Sequence, residues 1–87
     1  MYAVYVLKSL KDGKLYTGYT ADLKSRLKYY DDGKVEATKY RRPFKLIYCE
    51  AYLHQQDATA REKFLKTQWG RNYIKRTLKN YWKEMGT

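Results

Sequence analysis

Ala3-Val4-Tyr5-Val6-Leu7-Lys8-Ser9-Leu10-Lys11-Asp12-Gly13-Lys14-Leu15-Tyr16-Thr17-Gly18 is the stretch that decides the fold of this chain. Two runs rich in Val, Leu and Tyr flank a polar segment containing Asp12-Gly13, the strongest short-range signal for a β-hairpin. Tyr5 and Tyr16 lie eleven positions apart. In a hairpin closed by a two-residue turn, opposed residues have numbers with an odd sum, so both tyrosines point to one face. A turn at Asp12-Gly13 alone places Tyr16 opposite Ser9. It offsets the two tyrosines by four residues, roughly 13 Å at strand rise. A wider loop brings them closer.

Outward from the hairpin, strands are expected over 2–8 and 14–19. Thr20 is the expected N-cap of a helix running to about Tyr30, with Asp22 favourable in its first turn. Leu23, Leu27 and Tyr30 form its apolar stripe, and Arg26, on the Asp22-Arg26-Tyr30 row, flanks that stripe. Asp31-Asp32-Gly33 closes the helix, with Gly33 suited to a left-handed cap. Residues 33–42 form a basic loop, longer than a tight connection needs. Phe44 to Tyr52 is a third strand, apolar enough to expect helices over it. Asp57 is the expected cap of a second helix, Ala58 to Trp69. Ala58, Glu62 and Leu65 share a stripe there, and Ala60 and Phe64 widen it. Glu62 is therefore a carboxylate at the border of a buried face, a position that asks for a partner or a metal. Gly70 is expected to break this helix and start a third, Arg71 to Lys83. The order β-β-α-β-α-α describes an α+β domain, a three-stranded sheet with flanking helices. Residues 1–87 form one domain by length.

Lys and Arg number 19 against nine acids, a net charge of +10, and eleven residues are tyrosine. A charge this high on a small domain points to a polyanionic partner, and nucleic acid fits both the charge and the aromatics. Cys49 is the single cysteine, which excludes an intrachain disulfide or a cysteine-cluster zinc site. Its apolar run suggests a core thiol. A reducing cytoplasm is the expected location. No apolar run approaches the length of a membrane span, and Met1-Tyr2-Ala3-Val4 lacks the charged start of a signal sequence.

His54 is the lone histidine and reads as a surface or packing residue; no Ser-His-Asp or Cys-His set exists. There is no HExxH, no Walker loop and no GxGxxG. Tyrosines, arginines and one carboxylate remain, and that set suits phosphodiester hydrolysis. A metal on a carboxylate polarises the phosphate. An arginine neutralises phosphoryl charge through paired hydrogen bonds. A tyrosine hydroxyl holds or deprotonates the attacking water.

Taken together, the chain resembles the GIY-YIG nuclease superfamily, in particular its small stand-alone bacterial members. Ala3-Val4-Tyr5 stands where the first motif falls and Tyr16-Thr17-Gly18 where the second falls. Asp22-Leu23-Lys24-Ser25-Arg26-Leu27 resembles the helix supplying the family's arginine. Arg41-Arg42-Pro43-Phe44-Lys45-Leu46-Ile47-Tyr48 resembles the approach to the third strand. Ala60-Arg61-Glu62-Lys63-Phe64-Leu65-Lys66 resembles the helix with the metal-binding glutamate. The likeness covers almost the whole chain.

The resemblance implies a DNA endonuclease with Mg²⁺ or another divalent cation on Glu62. It implies Arg26 as the phosphate-stabilising cation and Tyr5 or Tyr16 as the group acting on water. Tyr30 stands where many relatives have a histidine, and it joins the implied catalytic set. A late asparagine of several relatives has no firm counterpart here; Asn72 and Asn80 are the candidates. Gly18, Lys34, Lys39, Arg41 and Arg42 are the expected nucleic-acid contacts, with Arg71, Lys75 and Arg76 as further basic positions. With no separate recognition domain in these 87 residues, three outcomes are expected: recognition of branched or otherwise structured DNA, action with a protein partner or as a homodimer, or low specificity. A non-catalytic nucleic-acid-binding module of the same fold is the alternative.

Overall fold

The computed structural model describes residues 1–86. Strand β1 (Tyr2–Ser9) is central, with β2 (Leu15–Thr20) on one side and β3 (Phe44–Tyr52) on the other, all antiparallel. Helix α1 (Leu23–Asp31) follows the hairpin. A 3-10 turn (Lys39–Arg41) precedes β3, and α2 (Gln55–Leu65), α3 (Gln68–Thr77) and α4 (Lys79–Glu84) complete the chain. This is the α+β architecture expected from the sequence.

The hairpin register pairs Tyr5 with Gly18 and Leu7 with Tyr16. The strands close over Leu10–Gly13, where the Ser9 N–H donates to Lys14 and the Gly13 N–H donates to Ser9. Gly13 takes φ +75°, the left-handed conformation that glycine adopts without strain. The wider loop removes the four-residue offset. Tyr5 and Tyr16 share a face and are displaced by two residues, about 7 Å.

β1 separates two cores because its side chains alternate. Val4 and Val6 meet Ala58, Leu65 and Ile74 of α2 and α3 on one face. Tyr5 and Leu7 meet Tyr30 on the other, beneath Leu23 and Leu27 of α1. The helices therefore lie on both sides of a sheet whose middle strand is almost wholly buried.

Several local expectations shift. Asp22, not Thr20, caps α1: its carboxylate accepts from the Ser25 N–H, while the Thr20 hydroxyl accepts from the Asp22 N–H. Gly33 does adopt φ +71° after the helix. His54, not Asp57, stands at the start of α2. That helix ends at Leu65 and a new cap follows, the Thr67 hydroxyl accepting from Gly70 N–H. Gly70 thus lies inside α3, against the backbone of Phe64 and Leu65, where a side chain has no room. The expected last helix is divided at Leu78. Ala60 and Phe64 are exposed and do not widen the buried stripe of α2. Cys49 is also exposed, not a core thiol, because side chains alternate along β3 and the face at Cys49 and Ala51 is left open while Tyr48, Glu50 and Tyr52 are half-buried on the other. Among the described residues, no helix is long and apolar enough to cross a membrane.

Candidate active site

Gly18 opens the site. It is buried, and a Cβ there would stand 2.7 Å from Cζ of Tyr5. The phenol of Tyr5 therefore crosses β2 over the one residue that leaves it space. Its hydroxyl reaches the Tyr30 hydroxyl at 3.2 Å and accepts from Arg26 Nε at 3.4 Å. The Arg26 guanidinium also lies over the Tyr30 ring, 5.5 Å from its centroid. Two residues one helical turn apart on α1 thus converge on one hydroxyl from the central strand.

The electrostatics sort these groups. Arg26 is pushed above its ordinary pKa, first by its hydrogen bond to Tyr5, so it keeps its charge. Tyr30 is pushed well above the usual phenol value, first by burial and then by its hydrogen bond with Tyr5. Its proton is held more tightly than an ordinary phenol's, which favours donation to a hydrogen bond over the role of a base.

Tyr16 joins through aromatic packing. Its ring meets Phe44 edge-on at 5.4 Å, and Phe44 meets Tyr30 at 5.5 Å. Tyr16 and Tyr30 line a cleft along β2 together with Thr17, Val35, Thr38, Leu65, Lys66 and Arg71. The sequence reading missed Phe44 as the ring between the two tyrosines. It also missed Lys66, although its position four residues after Glu62 was a legible pairing signal.

Glu62 is three-quarters or more shielded, and its Oε2 lies 3.3 Å from Lys66 Nζ. Lys66 links it to the cleft. The hydrogen-bonded cluster itself contains Tyr5, Arg26 and Tyr30, without Glu62. Among the described residues, no group of three or more His, Cys, Asp or Glu is gathered as a multidentate metal site. A lone carboxylate has the chemistry for Mg²⁺, which retains waters and is held through one or two carboxylates plus substrate phosphate oxygens.

The basic loop is more built than a loose tail. Lys39 pairs with Glu36 at 3.1 Å and Arg41 with Asp12 at 3.2 Å. Arg42 donates to the carbonyls of Lys39 and Asp31, tying the loop to the end of α1. The Lys34 ammonium lies over the Tyr29 ring. A second polar cluster sits on the opposite face of the sheet. Glu50 accepts from Arg61 Nε at 2.9 Å, from Arg61 Nη2 at 3.0 Å, and from the hydroxyls of Tyr48 and Tyr52. Burial raises the Glu50 pKa, but these donors outweigh it and hold the carboxyl below its ordinary value.

Residues 1–82 match the family described as the GIY-YIG catalytic domain. The chain is 43% identical to a UPF0213 protein of Staphylococcus epidermidis over 65 residues, covering 74% of this chain and 78% of the relative. It is 45% identical to a UPF0213 protein of Streptococcus agalactiae over 64 residues, 72% of each. With the UPF0213 protein YazA of Bacillus subtilis the identity is 43% over 63 residues, 71% of this chain and 63% of the relative. No solved structure matches. A match spanning both tyrosine motifs, the arginine helix and the glutamate helix places the chain in the GIY-YIG nuclease family.

Proposed function

We propose that this chain is a metal-dependent DNA endonuclease that hydrolyses phosphodiester bonds at the cluster of Tyr5, Arg26 and Tyr30. The observation that carries this reading is the union of Tyr5, Arg26 and Tyr30 in one hydrogen-bonded cluster, with Tyr16 at the cleft wall. Arg26 Nε is engaged with Tyr5, so the terminal guanidinium nitrogens are the donors for phosphoryl oxygens. Tyr30 holds Tyr5 in place from the buried side. The Tyr5 or the Tyr16 hydroxyl would hold a water against the phosphorus. Glu62 would hold a divalent cation, which supplies charge neutralisation for the phosphate and the leaving oxygen. Lys66 and Arg71, at the cleft rim, would take flanking backbone phosphates.

The ion pair between Glu62 and Lys66 favours a second reading, a module that binds nucleic acid without cutting it, since it already satisfies the carboxylate. One assay separates them. Branched, nicked and linear DNA are incubated with Mg²⁺ and either the native chain or Glu62→Ala. Cleavage by the native chain alone is the expected result. Equal absence of cleavage with binding retained in both would leave the binding module.

A further inference from the structure

The proposed chemistry leaves one face of the protein unused. From Lys63 to Lys83 the sequence carries seven cations and no acid. Helix α3 turns Gly70 and Ile74 into the core. On its outer side Trp69 is 75% exposed. Trp69, Asn72, Lys75 and Arg76 line a shallow surface cleft, and Asn72 Oδ1 accepts from Gln68 Nε2. Arg71, from the same helix, lines the tyrosine cleft. One rigid element thus borders both surfaces.

A solvated indole flanked by cations has a specific chemical match. An aromatic face accepts a stacked base, and the cations accept the phosphates on either side of it. A base within a duplex has both faces covered by its neighbours. Away from a duplex end, only an unpaired base offers a free face. A lipid surface fits less well, because Asn72, Lys75 and Arg76 surround Trp69 with polar ends and not with further apolar side chains.

We propose that the outer face of α3 is a single-strand docking platform: an unpaired base stacks on Trp69 while Lys75 and Arg76 hold its phosphates. The inference rests on the nuclease reading for its purpose. It narrows the substrate to nucleic acid with a single-stranded segment beside the cleavage point.

Trp69 and Trp82 are the two tryptophans. In Trp82→Phe the emission therefore reports on Trp69 alone. That variant is titrated in EDTA with oligo-dT, with a blunt duplex of equal phosphate number, and with phosphatidylglycerol vesicles. Oligo-dT should quench the emission and the duplex should not. Because Trp82 packs against the core, a parallel measurement avoids changing it: anisotropy of labelled oligo-dT with the native chain and with Trp69→Ala. The substitution should weaken oligo-dT binding roughly tenfold and leave duplex affinity unchanged. Equal quenching by duplex, a response to vesicles alone, or unchanged oligo-dT affinity in Trp69→Ala would overturn the proposal. Neither measurement depends on turnover. Quenching without cleavage in the Mg²⁺ assay removes the nuclease reading and keeps the platform; cleavage without quenching does the reverse.

Discussion

Tyr5 and Gly18 face each other across β1 and β2, and the Tyr5 ring fills the space any side chain at position 18 would need. The reach of Tyr5 to Arg26 and Tyr30 depends on that vacancy. Gly18→Ala should displace the ring and cost about 1–3 kcal/mol by overpacking. Cleavage should fall roughly tenfold or more, as the hydroxyl leaves its position. Thermal unfolding and single-turnover cleavage check both parts. A variant with native turnover would show that Tyr5 need not sit where it does.

Tyr30 should remain un-ionised as other tyrosines titrate. Its folded pKa is raised above the ordinary value of 10.0, first by burial. The folded state therefore holds this proton more tightly than the unfolded chain. The resulting stabilisation is present below pH 10 and lost as pH rises through the higher folded value. Tyr30→Phe should remove about 1 kcal/mol through the lost hydrogen bond to Tyr5. Absorbance at the phenolate band, followed through alkaline titration, should show equal early amplitude in Tyr30→Phe and the native chain. A smaller early amplitude in the variant would contradict the buried, protonated assignment.

Glu50 should matter for stability and hardly at all for phosphate chemistry. Glu50→Ala leaves Arg61 and two tyrosine hydroxyls without their acceptor, costing about 2–3 kcal/mol at neutral pH. The carboxyl is held below its ordinary 4.5 in the folded state. Its contribution is therefore full above that value and is lost as pH falls through the lower folded pKa. Urea unfolding of both proteins should show a constant gap at neutral pH that narrows in acid. A gap independent of pH would assign the loss to packing instead.

Lys34 and Arg42 should behave differently although both lie in the basic loop. The ammonium of Lys34 is exposed, so Lys34→Gln should lower the salt dependence of DNA binding by about one phosphate contact. Arg42 spends its donors on the carbonyls of Asp31 and Lys39. Arg42→Gln removes the charge and cannot span both carbonyls, so it should cost about 1 kcal/mol of stability and leave the salt slope unchanged. A reduced slope in Arg42→Gln would place its side chain on the phosphates.

The strands were legible because their signals are local: β-branched and aromatic runs between Gly13, Gly33 and Pro43 set all three. The shared face of Tyr5 and Tyr16 followed from parity alone. Their offset did not, because loop width depends on Ser9 and Lys14 pairing across the hairpin, a contact no composition rule supplies. The helices after β3 were misdivided for a related reason. Gly70 reads as a breaker in isolation, yet here it permits close contact between α2 and α3. Cys49 reads as core in an apolar run, but exposure is decided by which face of the strand is covered. Of the candidate site, tertiary contacts join Tyr5, Arg26 and Tyr30 directly and Tyr16 through Phe44, while Glu62 is paired locally with Lys66, four residues on. Spacing along a chain names such residues without saying which of them touch.

Ser9 is fully buried, and its hydroxyl donates to the Arg41 carbonyl while accepting from the amides of Lys11 and Asp12. One oxygen thereby clamps the hairpin tip to the basic loop. The two segments are joined as one jaw by the fold itself. The entropy of ordering that jaw is already spent, so further stiffening of the loop has little affinity left to add.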